Sequence, residues 1–433
     1  MKDNLKVTVT GDSLFVADFP KEYDAELKEI TDYIANGDVR ITNLETNISE
    51  YGDYASAFSG GTWINVEPED FHHLTRYNFN YYGTANNHTM DYSYHGLLST
   101  IAELDKRNLA HSGSGKSIEE ASAPAVLDID GKKVGIIALT TEFNMASKAG
   151  FATPKLKARP GVNYVGYDTY YSATEEDVKA LKAIADKTYM NAYRDMCIAT
   201  GFALPDPEGI YVFGTQKFCT DGSKKRTECN AKDKARIMAD IKKAKETCDY
   251  VFVLIHCHTI GEYKHEQVPV FFEELSRACI DAGANGIFGG GTHQIRPIEV
   301  YKDCPIIYSL GDFIYQGMRV KELPADFLNA YGCPSTATAY EGLMARSQGG
   351  KIGLQAKESS FLTLVPNLEF EDGKMTKMEL LPVTLGFKRE GDMNGLPYIA
   401  KGEEAQKIYN IVKELSEPYG THLELVDGVI RRV

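Results

Sequence analysis

An apolar run that ends in two histidines occupies residues 250–258, with the sequence YVFVLIHCH. Its β-branched and aromatic side chains predict a strand over residues 250–255. If the strand continues as far as His258, the imidazoles of His256 and His258 project from one face, because side chains two positions apart lie on the same side of an extended chain. Glu262 follows closely, which makes this segment the densest cluster of candidate metal ligands in the chain. A strand with such groups at its carboxyl end is typical of α/β proteins.

Short β-rich runs alternate with helical stretches on both sides of this segment. Hydrophobic patterns and turn signals predict strands at residues 7–10, 39–44, 79–84, 134–139, 286–288, 298–301 and 306–310, and a hairpin of residues 361–370 and 375–381. The predicted helices are residues 25–35, one opened by Pro68, 93–106, 232–247, 270–282 and 403–415. This alternation predicts an α/β fold in which helices pack on a mostly internal sheet system.

Two stretches interrupt the alternation of strands and helices. Residues 141–230 are rich in Tyr, Gly, Pro and Lys and are expected to form an insertion with one helix near residues 175–186. Residues 318–358 are predicted to be irregular. We therefore expect a core domain over residues 1–318 that contains the insertion, and a segment over residues 319–433 that completes or caps the core.

The composition narrows the class of protein. The 433 residues include 47 basic and 61 acidic side chains, and the formal net charge of −14 argues against nucleic acid as a partner. The 8 cysteines are scattered without a C-x-x-C pair, which indicates reduced thiols in an intracellular protein. Residues 1–6 lack a signal-peptide pattern, and no apolar run approaches the roughly 18 residues of a membrane span. These features predict a cytoplasmic protein without a membrane span, and they do not determine its oligomeric state.

Polar side chains follow one predicted strand after another. These groups are Asp12; Asn43 and Glu45; Asn86, Asn87 and His88; His256 and His258; and His293 after a glycine-rich turn at residues 289–291. Because ligands of open α/β sheets bind beyond the carboxyl ends of the strands, we expect these groups to share one site. The mixture of carboxylates, amides and imidazoles suits one or two divalent ions such as Zn²⁺, Mn²⁺ or Fe²⁺. Each group also has a structural interpretation, as a turn cap or a hydrogen-bonded imidazole, and their joint placement favours the site.

Seven short motifs occur in a fixed order along the chain. They are Gly11-Asp12; Asn43-Leu44-Glu45; Ala85-Asn86-Asn87-His88 with Asp91 and Gly96; Gly113-Ser114-Gly115; His256 with Glu262-Tyr263; His293 with Arg296-Pro297-Ile298-Glu299; and Tyr308-Ser309-Leu310-Gly311-Asp312-Phe313. Over about residues 5–315 the chain therefore resembles the bacterial CapA family, which is named for capsule synthesis involving poly-γ-glutamate. The resemblance implies the four-layer α/β/β/α sandwich of the calcineurin-like metallophosphatases.

The resemblance also implies roles for individual residues. Asp12 and His293 would serve one metal ion, Glu45 would bridge, and Asn87 with His256 would serve a second ion. His88 would be the general acid or base, and Asp12 and His256 are further catalytic candidates. The residues expected to bind substrate are Asn43, Asn86, Glu262, Arg296, Glu299 and Asp312.

Three positions depart from the family pattern. The family's His-Pro-His is Gly291-Thr292-His293 here, so one imidazole is missing from the pattern. The Trp-Gly that follows the strand histidine is Cys257-His258, and an Asn of the last motif is Asp312. Either His258 replaces the missing ligand, or the second metal site is absent.

Three functions are compatible with these residues. The first is a metal-dependent hydrolase that cleaves a phosphoester or a γ-glutamyl or other amide bond of a small molecule, peptide or poly-γ-glutamate. The second is a metal-independent acid/base enzyme, such as a peptide or amino-acid epimerase, in the same cleft. The third is a non-catalytic protein that binds or assembles poly-γ-glutamate. We rank the hydrolase first.

Overall fold

The computed structural model describes residues 4–220, 222 and 226–433. Residues 1–3, and positions 221 and 223–225 of the expected insertion, lie outside the described residues.

The strands of the described residues are numbered in chain order. They are β1 (Leu5–Leu14), β2 (Val39–Leu44), β3 (Asn47–Ile48), β4 (Asn65–Val66), β5 (Tyr81–Gly83), β6 (Ala110–Ser112), β7 (Ser114–Gly115), β8 (Ala125–Ile129), β9 (Lys132–Thr140), β10 (Gly161–Val162), β11 (Tyr167–Ser172), β12 (Ile210–Phe213), β13 (Gln216–Cys219), β14 (Arg226–Cys229), β15 (Tyr250–His256), β16 (Gly286–Gly290), β17 (Ile298–Tyr301), β18 (Cys304–Ile307), β19 (Asp312–Tyr315), β20 (Leu362–Glu371), β21 (Lys374–Thr384), β22 (Tyr398–Ile399), β23 (Leu423–Val426) and β24 (Val429–Arg432).

The helices of the described residues are short to medium in length. They are α1 (Asp24–Ile34), α2 (His72–Thr75), α3 (Ser93–Lys106), α4 (Ile118–Ser122), α5 (Glu175–Thr188), α6 (Ala192–Ala199), α7 (Ala231–Lys245), α8 (Val270–Asp281), α9 (Ala325–Ala330), α10 (Ala339–Arg346) and α11 (Glu403–Ser416). Across the described part of the chain, no helix has both the length and the apolar character needed to cross a bilayer.

Two large sheets organise the chain. The first has the strand order β23-β24-β21-β20-β1-β2-β5-β6, with β19 also paired to β1 and β22 to β21. The second has the order β17-β18-β16-β15-β9-β8. Strands β1, β2, β5 and β6 are parallel, as are β9, β15, β16 and β18. The residues that follow the carboxyl ends of these parallel strands therefore lie at a common edge of each sheet.

Three apolar layers hold the sheets and helices together. Strand β15 contributes to two of these layers. Phe252 and Leu254 pack between the sheets, whereas Val253 and Ile255 pack under helices α7 and α8. Another apolar layer joins the first sheet to helices α1, α2 and α3. A strand buried on both faces is apolar at successive positions, which explains the continuous run that begins at Tyr250. The fold is thus the predicted four-layer α/β/β/α sandwich.

Strand β1 changes partners near the middle of the first sheet. Its first half pairs with β20 in antiparallel orientation, from Leu5 opposite Phe370 onward. Its second half pairs in parallel with β19, beginning with Asp12 opposite Asp312. A Cβ atom at Gly11 would lie 1.9 Å from the carbonyl oxygen of Gly311, so this close approach requires glycine. The change of partners places Asp12 where three strands meet.

Several predicted elements differ from the observed ones. The strand at residues 39–44 and the helix at residues 93–106 have the predicted bounds, but the helix expected to open at Pro68 is only His72–Thr75. The strand expected at residues 306–310 is Cys304–Ile307, since the next three residues turn towards β19.

The two stretches predicted to be irregular contain regular elements. Residues 141–230 include helix α6 and a separate sheet of order β12-β13-β11-β14, in addition to the predicted helix. Residues 318–358 include helices α9 and α10. Helix α10 begins with a capping box between Thr338 and Glu341, a signal that is readable in the sequence.

Candidate active site

The carboxyl ends of strands from both sheets meet at one edge of the sandwich. Asn43, at the end of β2, links them because its Nδ2 donates a hydrogen bond to Asp12 Oδ1 over 2.7 Å. The same amide nitrogen lies 3.3 Å from His256 Nδ1, at the end of β15 in the second sheet. Polar groups from the first and second sheets are therefore in direct contact, as the pattern of strand ends predicted.

Three side chains from two segments converge beside this link. His256 Nε2 lies 2.6 Å from Asn87 Oδ1, and His258 Nε2 lies 3.1 Å from His256 Nε2 and 3.2 Å from the same amide oxygen. The prediction that both imidazoles project from one face required the strand to continue to His258, but β15 ends at His256. His258 lies beyond the strand and still reaches the same point as His256.

Glu45 is the buried carboxylate at the centre of this arrangement. It is fully buried, and neither oxygen receives a hydrogen bond from any described residue. Its Oε1 lies 3.4 Å from His256 Nε2 and 4.0 Å from His88 Nε2. Burial, reinforced by the carboxylates of Asp12 and Asp312, raises the pKa of Glu45 well above its ordinary value. An ionised carboxylate in this position needs a cation to offset its desolvation.

Two groups of side chains have the spacing of metal ligands. Ligand atoms of Glu45, His258 and His293 all lie within 4.8 Å of one another, and those of Asp12, Glu45 and Asp312 do so as well. Glu45 belongs to both groups, which is the position of a bridging ligand. Because nitrogen and oxygen ligands lie about 2.0–2.2 Å from a transition-metal ion, this spacing fits one or two such ions.

Asp12 is held by backbone as well as side-chain donors. The backbone N–H of Gly291 donates to Asp12 Oδ2 over 2.6 Å, and a Cβ atom at Gly290 would lie 2.4 Å from Asp12 Oδ1. Burial favours the neutral acid, but His256 and the Gly291 N–H outweigh it, so the pKa of Asp12 is lowered. The glycine-rich turn therefore packs its backbone directly against this carboxylate.

The missing imidazole of the family pattern has a structural explanation. Gly291 has a φ of +104°, and a Cβ atom there would lie 2.9 Å from the backbone of Cys257. A side chain at this position is therefore strained and crowded. The ring of His258 lies 5.2 Å from that of His293, so an imidazole from the neighbouring segment stands beside the turn.

His88 forms a buried pair with Asp91. His88 Nδ1 lies 2.6 Å from Asp91 Oδ2, and Asp91 also accepts hydrogen bonds from the backbone N–H groups of Gly60 and Ile64 over 3.1 and 2.8 Å. Asp91 thereby holds the imidazole and the loop beside it. If Nδ1 carries the shared proton, Nε2 is free to accept or deliver one.

His293 forms a second buried pair, with Asp312. Its Nδ1 lies 2.8 and 3.1 Å from the two oxygens of Asp312, and its backbone is left-handed with a φ of +57°. Burial alone lowers the pKa of His293, but Asp312 outweighs it, so the pKa is raised. This imidazole is thus oriented by a carboxylate, as metal-binding histidines usually are.

Two hollows that share Gly60 in their lining border the cluster. One has a volume of about 310 Å³, and His88, His293, Tyr315 and Arg346 are among the residues that line it. The other has a volume of about 330 Å³, and its lining includes Asn87, His258, Glu142, Phe143 and Phe58. A substrate therefore has space beside the candidate ligands.

The residues expected to bind substrate fall into two groups. Asn43 and Asp312 belong to the cluster, and Asn86 braces it, because Asn86 Nδ2 donates to the carbonyl oxygen of Leu44 over 2.8 Å.

The other expected substrate-binding residues are not at the cluster. Arg296 is fully buried and donates to the carbonyl oxygens of His265 and Thr259 over 2.8 and 2.6 Å, so its guanidinium holds a loop. Glu299 receives two hydrogen bonds from Arg277, and exposed Glu262 lines a different hollow beside Tyr419. Proximity in the sequence to His293, or to His258 in the case of Glu262, did not indicate where these side chains point.

Sequence reasoning did not find two residues that line the cavity. Tyr315 lies on β19, three positions after Asp312, and Arg346 is the last residue of α10. Tyr315 follows a motif that was already recognised, so its strand position was a usable signal. Arg346 has no such signal, because its approach to the site depends on the packing of a distant helix.

Comparisons with known proteins agree with this architecture. The uncharacterized protein y4sH of Sinorhizobium fredii is 29% identical over 442 residues, covering 99% of this chain and 93% of that protein. The PGA biosynthesis protein CapA of Bacillus subtilis is 27% identical over 307 residues, covering 70% of this chain and 57% of that protein. The capsule biosynthesis protein CapA of Bacillus anthracis is 22% identical over 320 residues, covering 72% and 60%.

The family profile described as bacterial capsule synthesis protein PGA_cap matches residues 6–317. This range contains the strand ends, the seven motifs and the candidate metal ligands. The chain belongs to the bacterial capsule synthesis family PGA_cap.

Proposed function

We propose that this protein is a metal-dependent hydrolase that cleaves a phosphoester or a γ-glutamyl or other amide bond in capsule or poly-γ-glutamate metabolism. The observation that carries the proposal is the Glu45 carboxylate, which is fully buried, receives no hydrogen bond from a described residue and belongs to both groups of candidate ligands. A carboxylate in such a place is costly to the fold unless a cation neutralises it.

The family relationship supports the substrate class. Relatives are described as proteins of PGA biosynthesis and of capsule biosynthesis, and the proposal extends that association to this chain. The bonds between the residues of poly-γ-glutamate are γ-glutamyl amides, which a hydrolase of this kind would cleave.

The residues that would hold one or two ions of Mn²⁺, Zn²⁺ or Fe²⁺ are Asp12, Glu45, Asn87, His256, His258 and His293. When bound, a divalent ion supplies Lewis acidity and lowers the pKa of water towards neutrality. The protein contributes a rigid arrangement of these side chains, since Asn43 and the Gly291 N–H fix Asp12, and Asp312 fixes His293.

His88 is placed to transfer the proton that the leaving group needs. Asp91 orients its ring through Nδ1, and Gly60 packs so closely that a Cβ there would lie 2.7 Å from His88 Nε2. This nitrogen borders the cavity without belonging to either group of candidate ligands. His88 therefore protonates the leaving oxygen or nitrogen as the bond breaks.

The test combines metal analysis with turnover. The purified protein is analysed for bound metal, stripped with a chelator, reloaded with Mn²⁺ or Zn²⁺, and assayed with γ-glutamyl oligomers and p-nitrophenyl phosphate. We expect one or two equivalents of metal and metal-dependent hydrolysis of one of these probes. Glu45→Gln should lose both metal and turnover, whereas Glu22→Gln, the same change at an exposed site, should lose neither.

Two results would overturn the proposal. One is hydrolysis that continues unchanged after complete removal of metal, and the other is a Glu45→Gln protein that keeps full metal content and full turnover. Exchange of a substrate Cα proton with deuterium, without hydrolysis of any probe, would instead favour the acid/base enzyme.

A further inference from the structure

The cavity beside His88 and His293 has one wall that the family profile does not include. The profile ends at residue 317, whereas Arg346, Ile352 and Leu354 line the same cavity from the following segment. The part of this cavity that contains the candidate ligands is thus shared with the family, and the opposite wall belongs to the region beyond the match. A wall of this kind selects which molecules reach the ligands.

Arg346 is the charged residue of that wall. Its Nη1 donates hydrogen bonds to the carbonyl oxygen of Gly61 and to Thr62 Oγ1 over 2.8 and 2.6 Å. The guanidinium also lies over the Phe327 ring, 5.4 Å from its centroid. These contacts fix the side chain in one orientation.

The fixed guanidinium keeps donors available. Of its five N–H donors, the described contacts use those on Nη1, so Nε and Nη2 have no partner among the described residues. Among the residues that the structure describes, no carboxylate forms an ion pair with Arg346. The Nε and Nη2 edge is the fork that binds a carboxylate through two parallel hydrogen bonds.

A second polar group borders the same cavity. Tyr315 is 6% exposed, lines the cavity with Arg346, and its hydroxyl makes no hydrogen bond with a described residue. Gly61, which Arg346 holds, directly follows Gly60, which packs against His88. The free guanidinium edge and the proton-transfer residue are therefore linked through one short loop.

We propose that Arg346, assisted by the Tyr315 hydroxyl, forms a subsite that binds a carboxylate of the substrate while the bond to be cleaved lies beside His88. This inference rests on the proposed function, and it narrows the substrates to molecules with a free carboxylate near the scissile bond. A γ-glutamyl chain has such a carboxylate on every residue.

Binding of a defined probe tests the subsite. The Mn²⁺-reloaded full-length protein is titrated calorimetrically with γ-glutamylglutamate, with the same dipeptide carrying amides in place of its carboxylates, and with inorganic phosphate. Arg346→Gln should weaken binding of the dipeptide about tenfold to hundredfold, because hydrogen bonds to a charged group contribute a binding free energy of that size. Arg346→Lys should restore part of the affinity, and the amidated dipeptide should bind the wild type as weakly as the dipeptide binds Arg346→Gln.

Two features of the chain sharpen this test. Lys351→Gln removes the same charge from an exposed residue that does not line the cavity, and it should bind the dipeptide like the wild type. The ring of Trp63, the single tryptophan of the chain, lies 6.2 Å from the ring of Phe327. Arg346 lies over that same Phe327 ring. The fluorescence of Trp63 should change on binding with the same midpoint as the calorimetric titration.

Other outcomes overturn the subsite. Equal dipeptide affinity in Arg346→Gln and wild type would do so, as would equal affinity of the wild type for the dipeptide and its amidated form. Phosphate binding that depends on Arg346, without dipeptide binding, would show a phosphate site and contradict the carboxylate assignment. Dipeptide binding that depends on Arg346, in a protein that hydrolyses no probe, would contradict the hydrolase proposal alone.

Discussion

Two buried histidine–aspartate pairs face the same cavity, and their surroundings differ. Asp91, the partner of His88, accepts two backbone hydrogen bonds in addition to the imidazole. Asp312, the partner of His293, instead lies among other carboxylates, with a ligand atom within 4.8 Å of those of Asp12 and Glu45. The first pair is satisfied by the protein itself, whereas the second is part of a concentration of negative charge.

This difference separates the roles that we propose for the two imidazoles. Burial raises the pKa of Asp312 despite the opposing effect of His293, and the neighbouring Asp12 carboxylate adds to the cost of ionising it. A cation bound among these carboxylates would offset that cost. Apart from its partner Asp91, the carboxylate that lies near His88 is that of Glu45, 4.0 Å away, and we propose that His88 is available for proton transfer. In this proposal, the same residue pair serves two kinds of chemistry, according to what surrounds the aspartate.

The largest expected effect comes from removing the His88 imidazole. His88→Ala should lower kcat by about 10²–10⁴, the usual contribution of a general acid, without changing the metal content. Turnover and elemental analysis of the same preparation check both parts. Loss of metal in this variant would contradict the different roles that we propose for the two histidine–aspartate pairs.

Removing each aspartate should affect stability differently. Asp91→Ala leaves the backbone N–H groups of Gly60 and Ile64 without their acceptor and should lower the free energy of unfolding by roughly 2–4 kcal/mol. Asp312→Ala also removes the repulsion from Asp12 and Glu45. In metal-free protein it should therefore lower the free energy of unfolding by less than Asp91→Ala does. Urea unfolding of both chelated variants measures the difference, and equal losses would contradict this interpretation.

Metal affinity should show the opposite order. Asp312→Asn should weaken metal binding about 10- to 100-fold, because it removes the carboxylate that orients His293. Asp91→Asn should leave the affinity near that of the wild type. Competition with a fluorescent chelator measures both values, and the contrast fails if Asp91→Asn weakens binding as strongly.

The smallest effect is expected at an exposed pair of the same composition. His95 forms an ion pair with Asp53, and the His95 side chain is 66% exposed. His95→Ala should change the free energy of unfolding by less than about 1 kcal/mol and leave metal content and turnover unchanged. Thermal unfolding and the hydrolysis assay check this control. A large effect here would mean that pairing, rather than burial in the cluster, determines function.

Much of the site follows from local patterns in the sequence. His256 and Glu45 lie at or just after strand ends, Asp12 lies near the end of β1, and parallel strands bring such positions to common edges whatever the details of packing. The layers of the fold follow for a similar reason. Apolar residues at successive positions from Tyr250 indicate a strand covered on both faces.

The remainder depends on contacts between distant segments. His258 reaches the cluster from the segment after β15, whose conformation the apolar pattern does not specify. Arg296 follows His293 closely in sequence, yet its side chain is directed into the interior. Arg346 contacts Gly61, which is distant from it in the sequence, and no feature of helix α10 predicts that contact. Loop conformation and long-range packing are therefore the features that local sequence patterns do not predict.

The pairing of β1 with β20 has a consequence for how the protein is made. Strand β1 emerges early in synthesis, but its antiparallel partner begins only at Leu362. Until then one edge of β1 lacks the neighbour that it has in the finished sheet, and such edges recruit other chains. Assembly of the sheet around the first half of β1 therefore finishes late, and we expect a fragment that stops at residue 317 to aggregate rather than to fold.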